Sequence, residues 1–364
     1  MSKKLDSIGV LTGGGDAPGL NAVIRAVVRT AVGYYQWDVV GFLDGYAGLV
    51  ERHSRRLGLD DVSGILTQGG TILGTSNKAN PFVWPVGAGD ERKTVDRGQE
   101  TVDYLRSLGL DALVCIGGDG TLSIADGLRR LGIAVAGIPK TIDNDIEGTD
   151  QTFGFDTAVS IATEAIDRIH TTAQSHHRVM LVEVMGRNAG WLALYSGIAG
   201  GGDIILLPEI PYSIDTVCER IVERNRKGRR FSIVVVSEGA RPAGGDRVIA
   251  RLVPDSPDPI RLGGIANLVA RQIEEKLNLE CRVTVLGHLV RGGTPSAYDR
   301  ILASRLGSEV VHLLARGETG KMVSLQGNNI ASVEIASVSN RQRLVPPDQP
   351  LVRLGREMGV CFGD

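Results

Sequence analysis

Aromatic residues, cysteines and an excess of either charge are scarce in this sequence. Aromatic residues make up 4% of the 364 positions, and the four cysteines lack the spacing of a metal or redox motif. Lysine and arginine number 40 against 42 acidic residues, a balance that argues against binding nucleic acid through bulk charge. We therefore expect the cysteines to be small core residues, and we expect no nucleic-acid partner.

Long uncharged apolar runs are also missing, as is an N-terminal segment with the order of a secretion signal. These absences predict a cytoplasmic protein without a membrane partner. Hydrophobic residues nevertheless reach 42% of the chain, enough for sizeable cores, and the length suggests about two domains. Glycine is abundant at 48 residues, which suits tight turns and close approach of the backbone to phosphate groups.

Short apolar runs alternate with segments of helical hydrophobic spacing. This rhythm predicts right-handed βαβ crossovers and parallel sheets, hence an α/β fold. The predicted strands cover residues 7–12, 112–116, 133–138, 178–184, 203–207, 231–237 and 282–286. The predicted helices cover residues 20–31, 122–131, 160–173, 265–277 and 298–315. Residues 239–259 are rich in proline, glycine and aspartate, which predicts a surface loop.

Two glycine-rich loops follow predicted strands. Residues 13–19 (GGGDAPG) open a helix, and their amides can hold a phosphate at its N-terminus. Residues 117–121 (GGDGT) repeat the arrangement with Asp119, whose carboxylate suits a magnesium ion between phosphates. Each loop has an alternative interpretation as a tight turn without a ligand. In open parallel sheets ligands bind beyond the carboxyl ends of the strands, which favours the phosphate interpretation.

The densest polar cluster is GIPKTIDNDIEG, residues 137–148, which follows an apolar run. Phosphoryl transfer needs a base for the acceptor's proton, cations beside the moving group and in-line positioning. Asp143 is suited to be the base, Thr141 to hold the transferred group, and Asp145 to orient the acceptor or the metal shell. Lys140 can offset phosphate charge. A turn stabilised only by side-chain caps would not explain a lysine and a threonine beside two acids.

Several cations near other strand ends suit a sugar phosphate. Arg282, His288 and Arg291 lie in or near the segment LGHLVRGG, and Arg178 stands at the start of another predicted strand. Arginine binds phosphate oxygens in a bidentate manner, although a lone arginine is more often part of a surface ion pair.

Together these motifs resemble the 6-phosphofructokinase family. GGDAPGLNAVIR, IGGDGT, PKTIDNDIEGTD, VMGRNAG and LGHLVRGGTPSAYDRILASRLG occur in the family's order over about residues 7–320. The resemblance implies two Rossmann-like three-layer domains with mostly parallel sheets facing an active-site cleft. It also implies a nucleotide-binding domain of residues 1–154 plus about 290–342. The fructose-6-phosphate-binding domain would then comprise residues 155–289 plus about 343–364.

The resemblance further implies transfer of the donor's terminal phosphoryl group to the 1-hydroxyl of fructose 6-phosphate, with Mg²⁺, in glycolysis. Asp143 is then the proton acceptor, Arg187 stabilises the transferred group, Asp119 binds the metal, and Thr141 serves both catalysis and substrate binding. The other implied substrate-binding residues are Asp145, Arg178, Met185, Gly186, Arg187, Glu238, Arg282, His288 and Arg291. The implied donor-binding residues are Gly15, Lys78, Gly118, Asp119, Gly120 and Thr121. Arg178 and Arg282 resemble a pair that reaches into a neighbour's active site, which implies a homodimer or homotetramer.

The sequence carries signals for two different phosphoryl donors. Pyrophosphate-dependent members typically carry aspartate where this chain has Gly120, together with a lysine at the position of Lys140. Glycine leaves room for the α-phosphate of ATP, so Gly120 favours ATP, while Lys140 keeps a reversible, pyrophosphate-dependent enzyme as the alternative. GGDGT alone also resembles NAD and lipid kinases, against which LGHLVRGG and VMGRNAG argue. A catalytically inactive sugar-phosphate sensor is a further alternative, and the presence of Asp119, Asp143 and Arg187 argues against it.

Overall fold

The computed structural model describes residues 5–87, 93–252 and 260–364. The chain divides into two compact units. The first unit comprises Met1–Ile142, Ile146–Asp156 and Arg291–Gln342, and the second comprises Asp143–Asp145, Thr157–Val290 and Arg343–Asp364. The polar turn of residues 140–145 is therefore divided between the two units.

The first unit is built on a seven-stranded sheet with the order β15-β14-β7-β6-β1-β2-β3. Neighbouring strands from β14 to β2 are parallel, while β15 and β3 pair antiparallel at the two edges. A separate two-stranded ribbon joins β4 and β5. The strands are β1 (Ser7–Thr12), β2 (Asp38–Phe42), β3 (Ser54–Arg56), β4 (Trp84–Val86), β5 (Lys93–Val95), β6 (Ala112–Gly117), β7 (Val135–Pro139), β14 (Lys321–Gln326) and β15 (Asn329–Glu334).

Helices cover both faces of this sheet. They are α1 (Leu20–Val28), α2 (Tyr46–Val50), α3 (Gly98–Ser107), α4 (Asp119–Arg130), α9 (Ala297–Ala315) and α10 (Ile335–Val338). Helices α1 and α9 share a core with Val10 and Val114, whereas α3 and α4 share a core with Leu11 and Leu113. Successive strand residues point to opposite faces, so strands buried on both sides are continuous apolar runs. The prediction of an α/β fold with mostly parallel sheets is confirmed.

The register of the central strands brings the predicted polar loops together at the carboxyl ends of the strands, along one side of the sheet. Thr12 of β1 pairs with Ile116 of β6, and Gly117 of β6 pairs with Pro139 of β7. The segments that follow these three parallel strands are the two glycine loops and the polar turn. They leave the sheet at the same edge because parallel strands end on the same side.

The strands of the second unit are β8 (Val179–Val184), β9 (Ile204–Leu206), β10 (Ser232–Ser237), β11 (Ile249–Leu252), β12 (Ile260–Leu262) and β13 (Cys281–Val285). Four of them form a wholly parallel sheet with the order β13-β8-β10-β9, and β11 and β12 form a separate two-stranded ribbon. Its helices are α5 (Phe155–His176), α6 (Trp191–Ala199), α7 (Ile214–Arg226), α8 (Ile265–Leu277) and α11 (Pro350–Glu357). The first two residues of α5, Phe155 and Asp156, are assigned to the first unit. Helices α7 and α8 bury Ile221 and Val269 against Leu181 and Val234.

Several predicted bounds differ from those observed. The helix predicted for residues 160–173 covers Phe155–His176, and the helix predicted for residues 20–31 is α-helical to Val28 and continues as a π-helix over Arg29–Tyr35. Two further differences concern a loop and the start of a helix. The prediction of a surface loop over residues 239–259 is wrong for Ile249–Leu252, because these residues form β11 and pair antiparallel with β12. Residues 253–259 lie outside the described residues. Such a ribbon is held by local main-chain hydrogen bonds, so it needs no strong hydrophobic alternation. Helix α4 begins at Asp119 rather than at residue 122, which places the acid of GGDGT in the first helical turn.

The expectation that the cysteines are core residues is confirmed for three of the four. All four are free thiols; Cys115, Cys218 and Cys281 are buried, whereas Cys361 is half-buried. Across residues 5–87, 93–252 and 260–364, every helix is too short or too polar to span a bilayer.

Candidate active site

The glycine loop of residues 13–19 joins β1 to α1, and a neighbouring segment holds it in place. The Gly14 N–H donates to the carbonyl oxygen of Ser76 at 3.1 Å, and the Thr75 hydroxyl donates to the carbonyl oxygen of Gly14 at 2.6 Å. Lys78 follows two residues after Ser76 and is exposed. The structure therefore brings the segment that carries Lys78 to the first glycine loop.

The second glycine loop forms the N-terminus of α4. Gly118 is the N-cap, and Asp119 and Gly120 are the first two helical residues. The amides of a first helical turn point outward and, with the helix dipole, attract anions. Gly120 is exposed, and a Cβ placed there would meet no other atom within 4 Å. Thr121 is buried, and its carbonyl oxygen accepts a hydrogen bond from the Tyr46 hydroxyl at 2.7 Å.

Two cations lie against the first glycine loop. Lys140 is 3% exposed, and its ammonium group donates to the carbonyl oxygen of Gly15. Arg291 donates from Nη1 to the carbonyl oxygen of Asp16 at 3.0 Å. Both positive charges stand beside a loop suited to phosphate, where they can offset negative charge. Arg291 belongs to the first unit, whereas His288 of the same motif belongs to the second.

A magnesium ion at this site would depend on Asp119 and on substrate oxygens. Among the described residues, no group of three or more His, Cys, Asp or Glu side chains is arranged to hold a metal. Mg²⁺ commonly keeps several waters and binds through one or two carboxylates plus substrate phosphates. Asp119 fits this mode because its carboxylate stands at the N-terminus of α4, beside amides that attract the phosphates.

The polar turn after β7 is held by contacts within each unit. In the first unit, the Thr152 hydroxyl donates to the carbonyl oxygen of Thr141 at 2.8 Å. In the second unit, the Arg343 N–H donates to the carbonyl oxygen of Asp145 at 2.8 Å. Asp143 lies between these two anchored positions, so the main chain on either side of its carboxylate is fixed.

The MGR segment of the second unit, Met185 to Arg187, directly follows β8. Glu238 directly follows β10, the strand beside β8. The Ser237 hydroxyl donates to the carbonyl oxygen of Gly186 at 2.6 Å, which joins the two strand ends. The structure therefore brings Met185, Gly186, Arg187 and Glu238 to one edge of the second sheet.

The remaining predicted cations of the second unit are divided between its two edges. His288 is exposed in the short helix Gly287–Arg291, directly after β13, at the same edge as the MGR segment. Arg178 and Arg282 stand at the opposite edge, where β8 and β13 begin. Arg178 Nε donates to Glu280 Oε2 at 2.6 Å, and Arg282 Nη2 donates to Glu280 Oε1. The hydrogen bond from Arg178, together with the charges of Arg178 and Arg282, lowers the pKa of the Glu280 carboxyl.

Two acids that the motifs did not single out support the strand-end loops of the second unit. Glu183 is 2% exposed within β8, and its carboxylate accepts from the N–H groups of Gly264 and Ala266 at 3.0 Å each, at the start of α8. Glu209 Oε1 accepts from the Gly190 N–H at 2.9 Å, and burial raises the pKa of the Glu209 carboxyl. The available signal was a single acid within an otherwise apolar strand, for Glu183, or a few residues after one, for Glu209.

Two glycine turns that open helices, with a buried lysine, arginines and carboxylates in other loops at strand ends, indicate a phosphotransferase of the α/β class without a P-loop. The chain belongs to the phosphofructokinase family, whose model, described as Phosphofructokinase, matches residues 7–314. The family inferred from the motifs is thereby confirmed.

Relatives with two different donors in their names are similar to this chain. The ATP-dependent 6-phosphofructokinase 2 of Clostridium perfringens is 52% identical over 368 residues, covering 100% of both chains. The pyrophosphate–fructose 6-phosphate 1-phosphotransferase of Amycolatopsis methanolica is 50% identical over 342 residues, covering 94% of this chain and 97% of its own. The structure of Pichia pastoris phosphofructokinase in the T-state superposes with a TM-score of 0.79 at 33% identity. That match covers 93% of this chain and 36% of the Pichia chain.

Proposed function

We propose that this protein is an ATP-dependent 6-phosphofructokinase. It transfers the γ-phosphoryl group of ATP to the 1-hydroxyl of fructose 6-phosphate, giving fructose 1,6-bisphosphate and ADP, in the glycolysis of the cytoplasm. The observation that carries the choice of ATP is the open space at Gly120, in the first turn of α4. A nucleotide's α-phosphate and ribose need that space, and a side chain there would occupy it.

The first unit binds the donor in this proposal. The residues assigned to the donor are Gly15, Lys78, Gly118, Asp119, Gly120 and Thr121. Helix-terminal amides of α4 hold phosphate oxygens, and Lys140 offsets their charge from beside Gly15. Asp119 would hold Mg²⁺, which when bound would neutralise phosphate charge.

The second unit and the polar turn bind the sugar phosphate and perform the transfer. The oxygen of the sugar 1-hydroxyl forms a bond to the γ-phosphorus of ATP, and the bond between that phosphorus and the β-γ bridging oxygen breaks. Asp143 accepts the proton that the 1-hydroxyl loses. Arg187 and the Thr141 hydroxyl stabilise the moving phosphoryl group. Asp145 orients the acceptor. The other residues assigned to the sugar phosphate are Met185, Gly186, Glu238 and His288 of the second unit, and Arg291 of the first unit.

Arg178 and Arg282 complete a neighbouring subunit's site, so the working enzyme is a homodimer or homotetramer. The support is their position at the edge of the second sheet opposite to the MGR segment, where strands β8 and β13 begin. Residues at that edge of a parallel sheet are remote from the strand-end loops of their own sheet. Their shared hydrogen bonds to Glu280 hold both guanidinium groups at one place on the surface.

The second candidate is a pyrophosphate-dependent phosphofructokinase. Lys140 favours it, because a lysine beside the first glycine loop can supply charge that a shorter donor lacks, and the Amycolatopsis relative carries that activity in its name. Gly120 outweighs Lys140 because a buried lysine beside Gly15 leaves the nucleotide's space open, whereas an aspartate at position 120 would close it.

One assay tests the function, the donor and the base together. Purified protein is incubated with fructose 6-phosphate, Mg²⁺ and either ATP or pyrophosphate, and fructose 1,6-bisphosphate is measured. We expect turnover with ATP well above that with pyrophosphate. Asp143→Asn, which keeps the shape of the side chain, should lower kcat by roughly 10²–10⁴-fold, the usual loss of a general base. Sugar binding without turnover of either donor would instead identify a sensor, and an Asp143→Asn variant with near-full kcat would remove Asp143 from this role.

A further inference from the structure

The C-terminal segment Arg343–Asp364 is an integral part of the second unit. Cys361 forms a parallel bridge with Ile204 of β9, and the Ile205 N–H donates to the carbonyl oxygen of Cys361 at 2.9 Å. Helix α11 lies between this bridge and the start of the segment. The end of the chain is therefore anchored at the sheet, which leaves its first residues in a defined place.

Arg343, the first residue of this segment, contacts the turn that carries Asp143. Its main-chain N–H donates to the carbonyl oxygen of Asp145 at 2.8 Å. Its guanidinium donates to the carbonyl oxygen of Asn144 from Nη2 at 3.0 Å and from Nε at 3.3 Å. Asn144 has a φ of +53°, a left-handed conformation that asparagine tolerates better than most residues. Buried main-chain carbonyls need hydrogen-bond partners, and an irregular turn has no ladder to supply them.

The other side of Arg343 is fixed on Trp191. The guanidinium carbon lies 4.8 Å from the centroid of the indole ring, and the Trp191 Nε1–H donates to the carbonyl oxygen of Arg343 at 2.8 Å. Trp191 is 6% exposed and is the first residue of α6. A planar guanidinium suits this combination, because it can stack on an indole face while donating in its own plane.

Glu209 links the same segment to the loop that carries Arg187. Its Oε1 accepts from the Val345 N–H at 2.9 Å and from the Gly190 N–H at 2.9 Å. Gly190 ends the loop that begins at Arg187. One carboxylate oxygen thus holds both the C-terminal segment and the MGR loop, while Arg343 holds the turn of Asp143.

We propose that Arg343 is a positioning residue for phosphoryl transfer. It fixes the turn of Asp143. Through Trp191 and the segment bound by Glu209, it also keeps that turn in a defined position relative to the Arg187 loop. This inference rests on the proposed roles of Asp143 and Arg187. Misplacement of a catalytic group by about 1 Å can lower a rate by about 10²-fold even when the mutated residue never meets substrate. A residue that only docked the C-terminal segment would change stability and leave the chemical step alone.

The test compares Arg343→Met with Arg356→Met. Arg356 lies in the same C-terminal segment, also stacks on an aromatic ring, Phe362 at 5.5 Å, and donates to the Asp364 carboxylate at 2.6 Å, but it is assigned no role in the site. We expect Arg343→Met to lower kcat by about 10- to 100-fold, with KM for fructose 6-phosphate within about threefold of wild type. Arg356→Met should keep wild-type kcat. Arg343→Lys should fall between, because an ammonium cannot stack and donate in the same plane.

Chemical rescue and unfolding measurements separate positioning from simple stabilisation. Millimolar guanidinium ion should restore part of the kcat of Arg343→Ala and should leave Asp143→Asn unchanged. Wild-type kcat in Arg343→Met, or equal losses of kcat and Tm in the Arg343 and Arg356 variants, would overturn the inference. If Arg343→Met does not fold, the kcat-to-KM comparison on Arg343→Lys decides in its place. A wild-type protein inactive with both donors would refute the proposed function instead, so the two failures are distinguishable.

Discussion

Replacing Gly120 with aspartate is the sharpest test of the donor site, because the structure predicts that the fold will tolerate it. A Cβ at this position meets no atom within 4 Å, and the residue is exposed in the first turn of α4. Glycine is a poor helix former, and an acid near a helix N-terminus gains about 0.3–1 kcal/mol from the helix dipole. Gly120→Asp should therefore unfold no earlier than wild type, and any loss of activity can be assigned to the site.

The magnitude follows from the repulsion between the new carboxylate and the α-phosphate of ATP. Two like charges about 4 Å apart repel by about 1 kcal/mol in water and about 4 kcal/mol at an effective dielectric near 20. These limits correspond to roughly 5-fold and 10³-fold weaker binding. Position 120 is exposed, so solvent and salt screen part of the charge, and we expect a loss in kcat/KM for ATP of about 10- to 100-fold.

Steady-state kinetics with ATP and with pyrophosphate, measured on wild type, Gly120→Asn and Gly120→Asp, test this prediction. Gly120→Asn is the matched control, because it adds nearly the same volume without the charge. We expect kcat/KM for ATP to fall in the order wild type, Gly120→Asn, Gly120→Asp, while pyrophosphate, which has no α-phosphate ester or nucleoside, is less affected. Lower salt should widen the difference between the two variants. A wild type that already prefers pyrophosphate, or a Gly120→Asp variant that uses ATP as well as before, would refute this interpretation of the donor site.

Three further predictions concern the second unit. Hybrid oligomers of Asp143→Asn subunits with Arg178→Ala, Arg282→Ala subunits should regain activity that neither parent has, and hybrids that form but stay inactive would remove the shared site. Gly186 has a φ of +139°, and a Cβ there would lie 2.8 Å from the Ala189 carbonyl oxygen. Gly186→Ala should therefore lower the free energy of unfolding by about 1–3 kcal/mol and also lower kcat. An unchanged Tm would contradict this. Burial raises the pKa of Glu209, so its folded state holds the proton more tightly than the unfolded chain. The stability of wild type relative to Glu209→Gln should therefore be greatest below the unfolded pKa of about 4.3 and should decline as pH rises through the folded pKa. Denaturant unfolding of both proteins from pH 4 to 7 measures this difference. A stability difference that does not change with pH would contradict the prediction.

Much of the fold could be predicted because the relevant signals are local. β1 and α8 have the predicted bounds, since an apolar run and a helical hydrophobic spacing are each properties of consecutive residues. The start of α4 was placed three residues too late, because Asp119 and Gly120 add nothing to a hydrophobic pattern. Strand β11 was missed for a related reason: its pairing with β12 depends on main-chain hydrogen bonds that composition does not reveal.

The sequence by itself determined the class of this protein and the polar groups that follow its strands. Glycine loops, the polar turn and the MGR segment are each contiguous in the chain, so their chemistry is visible without the fold. The tertiary structure decided which of these groups meet. Arg343 reaches Asn144 across 199 residues, Glu183 accepts two amides from the start of α8, and Arg178 and Arg282 share Glu280 at the far edge of their sheet. Main-chain donors and acceptors are identical at nearly every residue, so only the order and register of the folded strands select which distant side chain will bind them.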